Sequence, residues 1–214
     1  GTGARRLQPA HQRAGGDSGD RRRQRLNANQ VRIIGGRHRG RRLNFSPGRG
    51  LRPTPDRVRE TLFNWLQGEI RGAGCLDLFA GSGALGLEAL SRGAARLCAV
   101  EQNRPVAQRL RDNIALLAED SVAEVRQTDA LRLLRSAPDM PFDIAFVDPP
   151  FADGLLPTVC RLLEENGWLR PTAWIYLEQD ASQDWPPAPD SWTLHREGRA
   201  GQSAHRLLRR SIAR

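Results

Sequence analysis

The sequence predicts an α/β fold built on one doubly wound, mostly parallel sheet of seven strands that ends in an antiparallel hairpin. From residue 75 onward, short apolar segments alternate with segments of helical periodicity, a pattern typical of βα units in a parallel sheet. Two late strand-like segments, 191–196 and 205–209, have no helix between them, which indicates the terminal hairpin. A glycine-rich turn directly follows the first strand of the sheet, as it does in Rossmann-like folds that hold a ligand there.

Three regions are predicted along the chain. Residues 1–29 are rich in Gly, Arg, Gln and Asp and nearly lack aliphatic side chains, so we predict a disordered basic tail. Residues 30–52 are predicted to form a small N-terminal β-hairpin, because an apolar run at 31–34 and a basic run at 39–43 flank two glycines. Residues 53–214 are predicted to form the Rossmann-like domain.

The domain is predicted to open with a helix over 56–67. Val58, Leu62 and Leu66 recur there at helical spacing, and the preceding Thr54-Pro55-Asp56 offers N-cap chemistry. The parallel strands are predicted at 75–79, 96–100, 123–127, 142–147 and 174–177. The helices that connect them are predicted at 85–91, 105–117 and 155–165.

The charge of the chain is concentrated at its N-terminal end. All 33 basic residues are arginine, and 16 of them lie within the first 60 residues beside only four acids. Codon bias in a GC-rich genome accounts for the lack of Lys, but a basic end also suits a polyanionic partner such as RNA.

Cysteine spacing and hydropathy indicate the compartment. Cys75, Cys98 and Cys160 have no CxxC spacing and lie in apolar stretches, so we expect buried thiols in a reducing compartment rather than disulfides or a metal site. The sequence has neither a run of about 18 apolar residues nor an apolar segment near its first residue. We therefore expect a cytoplasmic protein without a membrane span or a secretory signal.

The glycine-rich turn is the first candidate site. Gly81, Gly83 and Gly86 form a GxGxxG pattern between a strand and a helix, where unpaired backbone N–H groups can approach a ligand closely. Glu101 follows Gly83 by 18 residues, at the end of the next strand, where a carboxylate can accept both hydroxyls of a ribose. This pattern fits a dinucleotide as well as S-adenosylmethionine, and it also occurs in turns that bind nothing.

Two further acids favour the methyl donor. Asp77 lies two residues before Phe79-Ala80-Gly81, where it can order the loop and meet the amino group of the donor. Asp129 follows the third strand and can bond the adenine amine, while the backbone N–H of Ala130 meets the ring. A lone acid at such a position is also often a helix cap that faces solvent.

The second candidate site is Asp148-Pro149-Pro150-Phe151, which follows the apolar fourth strand. The two prolines fix the backbone, so the Asp148 carboxylate and the Pro149 carbonyl can accept both hydrogens of an exocyclic base amine. These bonds would aim the nitrogen lone pair at the methyl group of the donor. Phe151 can stack on the extruded base, worth about 1–3 kcal/mol. By itself, Asp-Pro-Pro is also an ordinary loop after a strand.

Residues 31–210 closely resemble the RsmD family, the bacterial 16S ribosomal RNA guanine-N2 methyltransferases. The Asp-Pro-Pro-Phe segment is shared with many amine methyltransferases, whereas Arg-Pro-Thr joined to the long first helix is more particular to the family. The resemblance covers the segments 32–36, 51–54, 56–66, 76–77, 79–92, 146–151, 163–164, 166–169, 194–197 and 200–202.

This resemblance implies a class I methyltransferase that uses S-adenosyl-L-methionine to modify the N2 amine of one guanine in 16S ribosomal RNA during assembly of the small subunit. It implies that Arg52, Pro53 and Thr54 line the donor pocket near its methionine end. It also implies donor binding at positions that match Asp77, Phe79, Ala80, Gly81, Gly83, Glu101, Asp129, Ala130 and Asp148. Glu101-Gln102-Asn103 departs from the common Glu-X-Asp, which puts only the second ribose contact in doubt.

The N-terminal hairpin is the predicted RNA platform. It carries Arg37, Arg39, Arg41 and Arg42, with further help expected from Arg49, Arg57 and Arg59. A solvated basic surface is the plainer interpretation of any one of them. The expected partner is 16S ribosomal RNA or the small-subunit particle, bound by a monomer with no metal and no membrane contact.

Two other functions remain open from the sequence. A DNA adenine-N6 methyltransferase uses a similar four-residue centre, but it usually carries a target-recognition domain for which the span after Phe151 leaves little room. A non-catalytic ribosome assembly factor could bind RNA and use the donor for stability alone.

Overall fold

The computed structural model describes residues 29–48, 51 and 53–212, and fifteen short elements follow one another along this part of the chain. The predicted tail therefore lies almost wholly outside the described residues. The elements are β1 (Gln30–Arg32), β2 (Arg42–Asn44), α1 (Asp56–Trp65), β3 (Gly74–Asp77), α2 (Ala84–Ser91), β4 (Arg96–Val100), α3 (Arg104–Leu116), β5 (Ala123–Arg126), α4 (Ala130–Leu134), β6 (Phe142–Val147), a 3-10 turn (Phe151–Asp153), α5 (Leu156–Glu165), β7 (Leu169–Asp180), β8 (Trp192–Ala200) and β9 (Ser203–Arg210).

The described strands form a seven-stranded sheet and a separate two-stranded hairpin. The order in the large sheet is β5-β4-β3-β6-β7-β9-β8. The five strands from β5 to β7 pair in parallel, whereas β9 pairs antiparallel with both β7 and β8. The predicted mostly parallel sheet with a C-terminal antiparallel hairpin is confirmed, as is the small N-terminal hairpin of β1 and β2.

Alternating side chains of the strands build two apolar layers, one on each face of the sheet. One layer includes Cys75, Leu97 and Phe146 and receives α1, α2 and α3. The other includes Leu76, Cys98 and Val147 and receives α4 and α5. All three cysteines are buried free thiols, as predicted. Within the part of the chain that is described, no helix is long and apolar enough to cross a membrane.

The N-terminal hairpin is docked on the domain. Its apolar side chains, among them Val31, Ile33 and Leu43, belong to the same core layer as α1 and α2. Glu88 of α2, which is fully buried, accepts hydrogen bonds from the backbone N–H groups of Ile34 (2.9 Å) and Gly35 (2.8 Å). A buried carboxylate thus anchors the turn of the hairpin, which fixes where its arginines can point.

Gly36 makes this docking possible. Its φ of +77° favours glycine, and a Cβ built there would lie 1.9 Å from the carbonyl oxygen of Ser91. The backbone N–H of Arg37 donates to that same carbonyl at 2.8 Å. The hairpin turn therefore approaches the end of α2 more closely than any side chain would allow.

Several local predictions were wrong. The helix predicted at 56–67 ends at Trp65, and the strand predicted at 191–196 spans Trp192–Ala200. The helix α1 begins at Asp56 after an N-cap Pro55 without a side-chain cap, so Thr54 does not cap it. The strand predicted at 174–177 spans Leu169–Asp180, because its polar residues Glu178 and Gln179 are buried and continue the pairing with β9. The short helix α4 was not predicted, since five residues are too few to show helical periodicity.

Candidate active site

The carboxyl ends of three neighbouring strands bring the predicted site residues together. Asp77 of β3 is in register with Ala99 of β4 and with Phe146 of β6. The turns that follow these strands are the glycine loop, Glu101 and Asp148, and they lie side by side because paired strands are about 4.8 Å apart. In open α/β sheets this edge is where ligands bind.

The glycine loop is held in a backbone conformation that requires glycine. Gly81 and Gly83 have φ values of +51° and +81°, and Gly83 is the N-cap of α2. The Glu101 carboxylate accepts from the backbone N–H of Gly81 at 3.1 Å and from that of Asn103 at 2.8 Å. Glu101 thus orders the loop and its own turn, and it is only half-buried.

Asp77 is a buried carboxyl group at the base of this loop. One of its oxygens accepts from the backbone N–H of Gly86 at 3.1 Å. Burial raises the pKa of Asp77 from 3.8 to about 7, with a further contribution from the charge of Glu101, while backbone N–H groups of Gly86 and Phe79 oppose the shift. A buried carboxylate with no cationic partner among the described residues suits the ammonium group of a ligand.

The segment before α1 links the loop to the turn after β6. Leu51 covers the glycine loop, since a Cβ on Gly81 would lie 2.4 Å from Leu51 Cδ1. The buried Thr54 side chain lies near the carboxyl group of Asp148 and lowers its pKa. Pro53, half-buried, lies between them in the chain. Arg52, which was predicted to line the donor pocket, lies outside the described residues.

Asp148 occupies the turn at the end of β6. Burial raises its pKa well above the ordinary value of a carboxyl group, the charges of Glu178 and Asp77 add to this effect, and the Thr54 side chain opposes it. The neighbouring Pro149 is buried, whereas Phe151 is 44% exposed at the start of the 3-10 turn. Asp148 therefore lies at the sheet edge close to the acids Glu178 and Asp77, and the accessible ring of Phe151 follows three residues later in the chain.

Glu178 is a part of this site that the sequence did not reveal. It lies in β7, the strand next to β6, and it is 5% exposed. A cavity of about 200 Å³ opens between this strand end and the turn after β6, and its lining includes Glu178, Pro149 and Phe151. A single acidic residue among the polar residues at the end of a strand cannot be recognised as a site residue from the local sequence. The available signal was its position, directly after an apolar run at the same sheet edge as Asp148.

Asp129 and Ala130 lie at the end of β5, farther along the same edge. Asp129 is the N-cap of α4 and accepts from the backbone N–H of Arg132 at 2.8 Å. Its side chain is exposed and Ala130 is buried. The capping role that the sequence left open is thus present, and contact with an adenine ring stays a prediction.

The arginines of the predicted RNA platform fall into two groups. Arg39, Arg41, Arg42 and Arg57 are exposed. Arg37 is also exposed, but its guanidinium pairs with the buried Glu119 at 2.6 Å, and His38 bonds the same carboxylate. Arg49 lies outside the described residues.

Arg59 does not belong to this platform, and its predicted role in RNA binding was wrong. It is 1% exposed and its guanidinium pairs with Asp56 and with the buried Glu88. Its charge compensates the buried carboxylate of Glu88 and the partly exposed one of Asp56.

A larger cavity lies mainly on the other side of the sheet. Its volume is about 290 Å³, it surrounds Arg96 and Phe142 near the amino ends of β4 and β6, and it extends to Thr128 and Arg132 on either side of Asp129. Within the described ranges, no group of three His, Cys, Asp or Glu side chains is placed to hold a metal ion.

A family model and several related proteins that are similar to this chain point to the same kind of protein. A family model described as "Conserved hypothetical protein 95" matches residues 31–209. The chain is 52% identical over 181 residues to "Ribosomal RNA small subunit methyltransferase D" of Escherichia coli, which covers 85% of this chain and 90% of that protein. It is 45% identical to the protein of the same name from Haemophilus influenzae, covering 83% of this chain and 93% of that protein.

Solved structures agree with this. An Escherichia coli structure described as a "putative methyltransferase" is 52% identical, has a TM-score of 0.79, and covers 85% of this chain and 98% of its own. An RNA methyltransferase from Salinibacter ruber in complex with S-adenosyl-L-homocysteine is 17% identical with a TM-score of 0.56, covering 76% of this chain and 95% of its own. The second similarity concerns the fold alone.

Proposed function

Because the chain belongs to the ribosomal RNA small subunit methyltransferase D (RsmD) family, we propose that it methylates the N2 amine of one guanine in 16S ribosomal RNA. Membership is shown by the family model over residues 31–209 and by 52% identity to a relative of similar length. The protein is accordingly a ribosomal RNA methyltransferase that depends on S-adenosyl-L-methionine. The choice of guanine N2 and of the small subunit is the finer part of the proposal.

The described residues fit the methyl donor. The buried Asp77 carboxylate would meet the ammonium group of the donor, and the half-buried Glu101 carboxylate would accept from its ribose hydroxyls. Asp129 and Ala130 would border the adenine, and Pro53 and Thr54 would border the methionine end. The donor supplies an electrophilic methyl group on a positively charged sulfur.

The turn after β6 would hold the target amine. The Asp148 carboxylate and the Pro149 carbonyl would accept hydrogen bonds from both N–H groups of the amine. The lone pair of this nitrogen is otherwise conjugated with the ring, and the two hydrogen bonds would make it more available for attack. Phe151, accessible beside them, stacks on the base. Orientation of this kind can contribute about 7–11 kcal/mol to the lowering of a barrier. After transfer the nitrogen carries a positive charge and releases one proton, which the Asp148 carboxylate can accept.

The observation that carries this proposal is the position of Asp148. Phe146, two residues before Asp148, pairs with Asp77, so Asp148 lies at the same sheet edge as the glycine loop. The charge of Asp77 and the side chain of Thr54, which is next to the predicted donor residues, both influence the pKa of Asp148. An acid that faced the interior, away from the loop, could not hold a base against the donor.

We further propose that the exposed arginines of the N-terminal hairpin bind RNA phosphates. Arg39, Arg41 and Arg42 are exposed on a hairpin that is anchored to α2, so they form a platform of fixed position. Arg57 at the start of α1 extends it. The substrate would be 16S ribosomal RNA or the small-subunit particle, and the protein would act as a monomer in the cytoplasm.

Transfer of labelled methyl groups from S-adenosyl-L-methionine tests the proposal. We expect label on guanine in small subunits or their RNA, and a decrease of at least about 10²-fold in the Asp148→Ala variant. Asp153→Ala is the matched control, because Asp153 is exposed in the adjacent 3-10 turn and should keep full activity. Label on adenine or DNA would instead indicate a DNA amine methyltransferase, and donor binding without any transfer would indicate a non-catalytic assembly factor.

A further inference from the structure

Glu178 is a buried acid that the mechanism above does not use. Val147 of β6 is in register with Leu177 of β7, so Asp148 and Glu178 are the next residues along two adjacent parallel strands. The charge of Glu178 is the largest electrostatic influence on the pKa of Asp148. Asp148 and Glu178 are therefore neighbours at the sheet edge.

Two hydroxyl groups hold the Glu178 carboxylate in place. The Tyr176 hydroxyl donates to one oxygen at 2.9 Å, and the Ser203 hydroxyl donates to the other at 2.6 Å. No arginine pairs with Glu178 among the described residues. Each oxygen still has acceptor capacity, because a carboxylate oxygen can accept more than one hydrogen bond.

An oriented buried carboxylate without a cationic partner is costly to maintain. Burial raises the pKa of Glu178, which shows that its surroundings oppose the charge, although the Ser203 and Tyr176 bonds favour it. Such a group is explained when a ligand supplies the missing hydrogen-bond donor. Glu178 borders a cavity in which a donor could reach it.

The cavity suits one flat base rather than a larger ligand. Its volume of about 200 Å³ is below the roughly 300–1,000 Å³ of typical ligand pockets. Phe151 and Pro149 border it on the side of the catalytic turn, and leucine and proline side chains form much of the rest of its lining. Its polar lining has three carboxyl groups, two amides and no arginine: Glu178, Asp180, Asp184, Gln179 and Gln183. The three carboxyl groups favour a base edge that presents hydrogen-bond donors.

We propose that Glu178 is the residue that selects guanine, by accepting the N1–H of the base while Asp148 and the Pro149 carbonyl hold the N2 amine. Guanine presents N1–H and the N2 amine side by side, so two adjacent carboxylates match that edge. Adenine carries a bare N1 at the equivalent place, which would face a carboxylate oxygen and leave both buried acceptors unsatisfied. This inference rests on the proposed function and specifies its substrate.

Two RNA substrates that differ only in the target base test the contact between Glu178 and the N1–H group. RNA is prepared with either guanine or 2-aminopurine at the nucleotide that the wild-type protein methylates. 2-Aminopurine keeps the amine at C2 but lacks both the hydrogen on N1 and the oxygen on C6, so the change of preference in a Glu178 variant reports the N1 contact. We expect wild-type protein to prefer guanine by roughly 10²-fold in kcat/KM, the value of one good base contact.

The Glu178→Gln variant should lose most of this preference, because its amide can turn an N–H toward the bare N1 of 2-aminopurine. The Asp148→Asn variant is the control, since it should slow both substrates by similar factors and keep the preference. The Gln side chain has the same shape and removes a buried charge, so the fold and donor binding should be retained. Ser203→Ala, which removes one of the two donors to Glu178, gives a second and smaller loss of preference if Glu178→Gln does not fold.

Equal rates on both RNAs with wild-type protein, or an undiminished preference in the variant that folds, would overturn the assignment of Glu178. Failure of the proposed function gives a different result, because wild-type protein would then transfer no methyl group to the guanine RNA.

Discussion

Replacement of Asp77 by Asn should change how the stability of the donor-free protein depends on pH. The pKa of Asp77 is raised from 3.8 to about 7 by burial, so the folded state favours the neutral carboxyl group. The associated stability is full below pH 3.8 and is lost as the pH rises through about 7. Ionisation of Asp77 should lower the free energy of unfolding of the wild-type protein by at most about 4 kcal/mol over the whole range from low to high pH. Between about pH 5 and about pH 8 the decrease should be roughly 2–3 kcal/mol.

Asn has no charge to bury, and its amide oxygen can still accept from the Gly86 N–H. The free energy of unfolding of Asp77→Asn, relative to wild type, should therefore rise by roughly 2–3 kcal/mol across that pH range. Urea denaturation at several pH values measures this difference, in which the titrations of other groups largely cancel. Asp112→Asn on the exposed side of α3 is the control and should show no such trend. A relative stability of Asp77→Asn that does not vary with pH would refute the reasoning.

The same residue predicts the pH dependence of donor binding. An ammonium group opposite Asp77 binds best when the carboxyl group is ionised, so affinity for S-adenosyl-L-methionine should increase as the pH rises through about 7. Titration calorimetry should find weaker binding in Asp77→Asn, with little change over this range. Equal affinity and equal pH dependence in both proteins would show that Asp77 does not contact the donor.

Three other predictions follow from single contacts. Gly83→Ala should abolish donor binding in calorimetry, because φ is +81° and the new Cβ would lie 2.6 Å from a Leu110 methyl carbon, whereas Gly40→Ala, at φ +83° with nothing within 4 Å, should bind normally. Glu88→Ala should lower the free energy of unfolding by about 3–5 kcal/mol, because it leaves buried partners without their carboxylate. The control Glu165→Ala removes an exposed acid and should cost at most about 1 kcal/mol. Similar losses in the two variants would refute an anchoring role of Glu88. Replacing Arg39, Arg41 and Arg42 with Gln should weaken RNA binding and make it less dependent on salt. The slope of the logarithm of the binding constant against the logarithm of the salt concentration should decrease by up to about 0.7 per lost contact. An unchanged slope would argue against the platform.

The sheet could be predicted from the sequence because its central strands are buried on both faces. Strands β4 and β6 have the bounds that their apolar runs predicted. Strand β7 was predicted too short, because its last residues are polar and their burial depends on pairing with β9, which is distant in the chain. Local periodicity does not record such long-range pairing.

The candidate site was predictable where a motif fixes the backbone, and less so where function depends on burial. The glycine loop and the turn after β6 were recognisable by spacing. Arg59 was misassigned because a basic residue looks the same in the sequence whether it is exposed or paired with a buried acid such as Glu88, 29 residues away. Glu178 was missed for the corresponding reason, since its hydroxyl partners and its cavity exist only after the strands pair.

The central claim is that the Asp148 turn delivers a guanine amine of 16S ribosomal RNA to the methyl donor. Mass analysis of nucleosides from 16S RNA of a strain that lacks this protein tests it most directly. We predict the loss of a single N2-methylguanosine, which a gene for the wild-type protein restores and a gene for the Asp148→Ala variant does not. An unchanged content of N2-methylguanosine in the strain that lacks the protein would contradict the account.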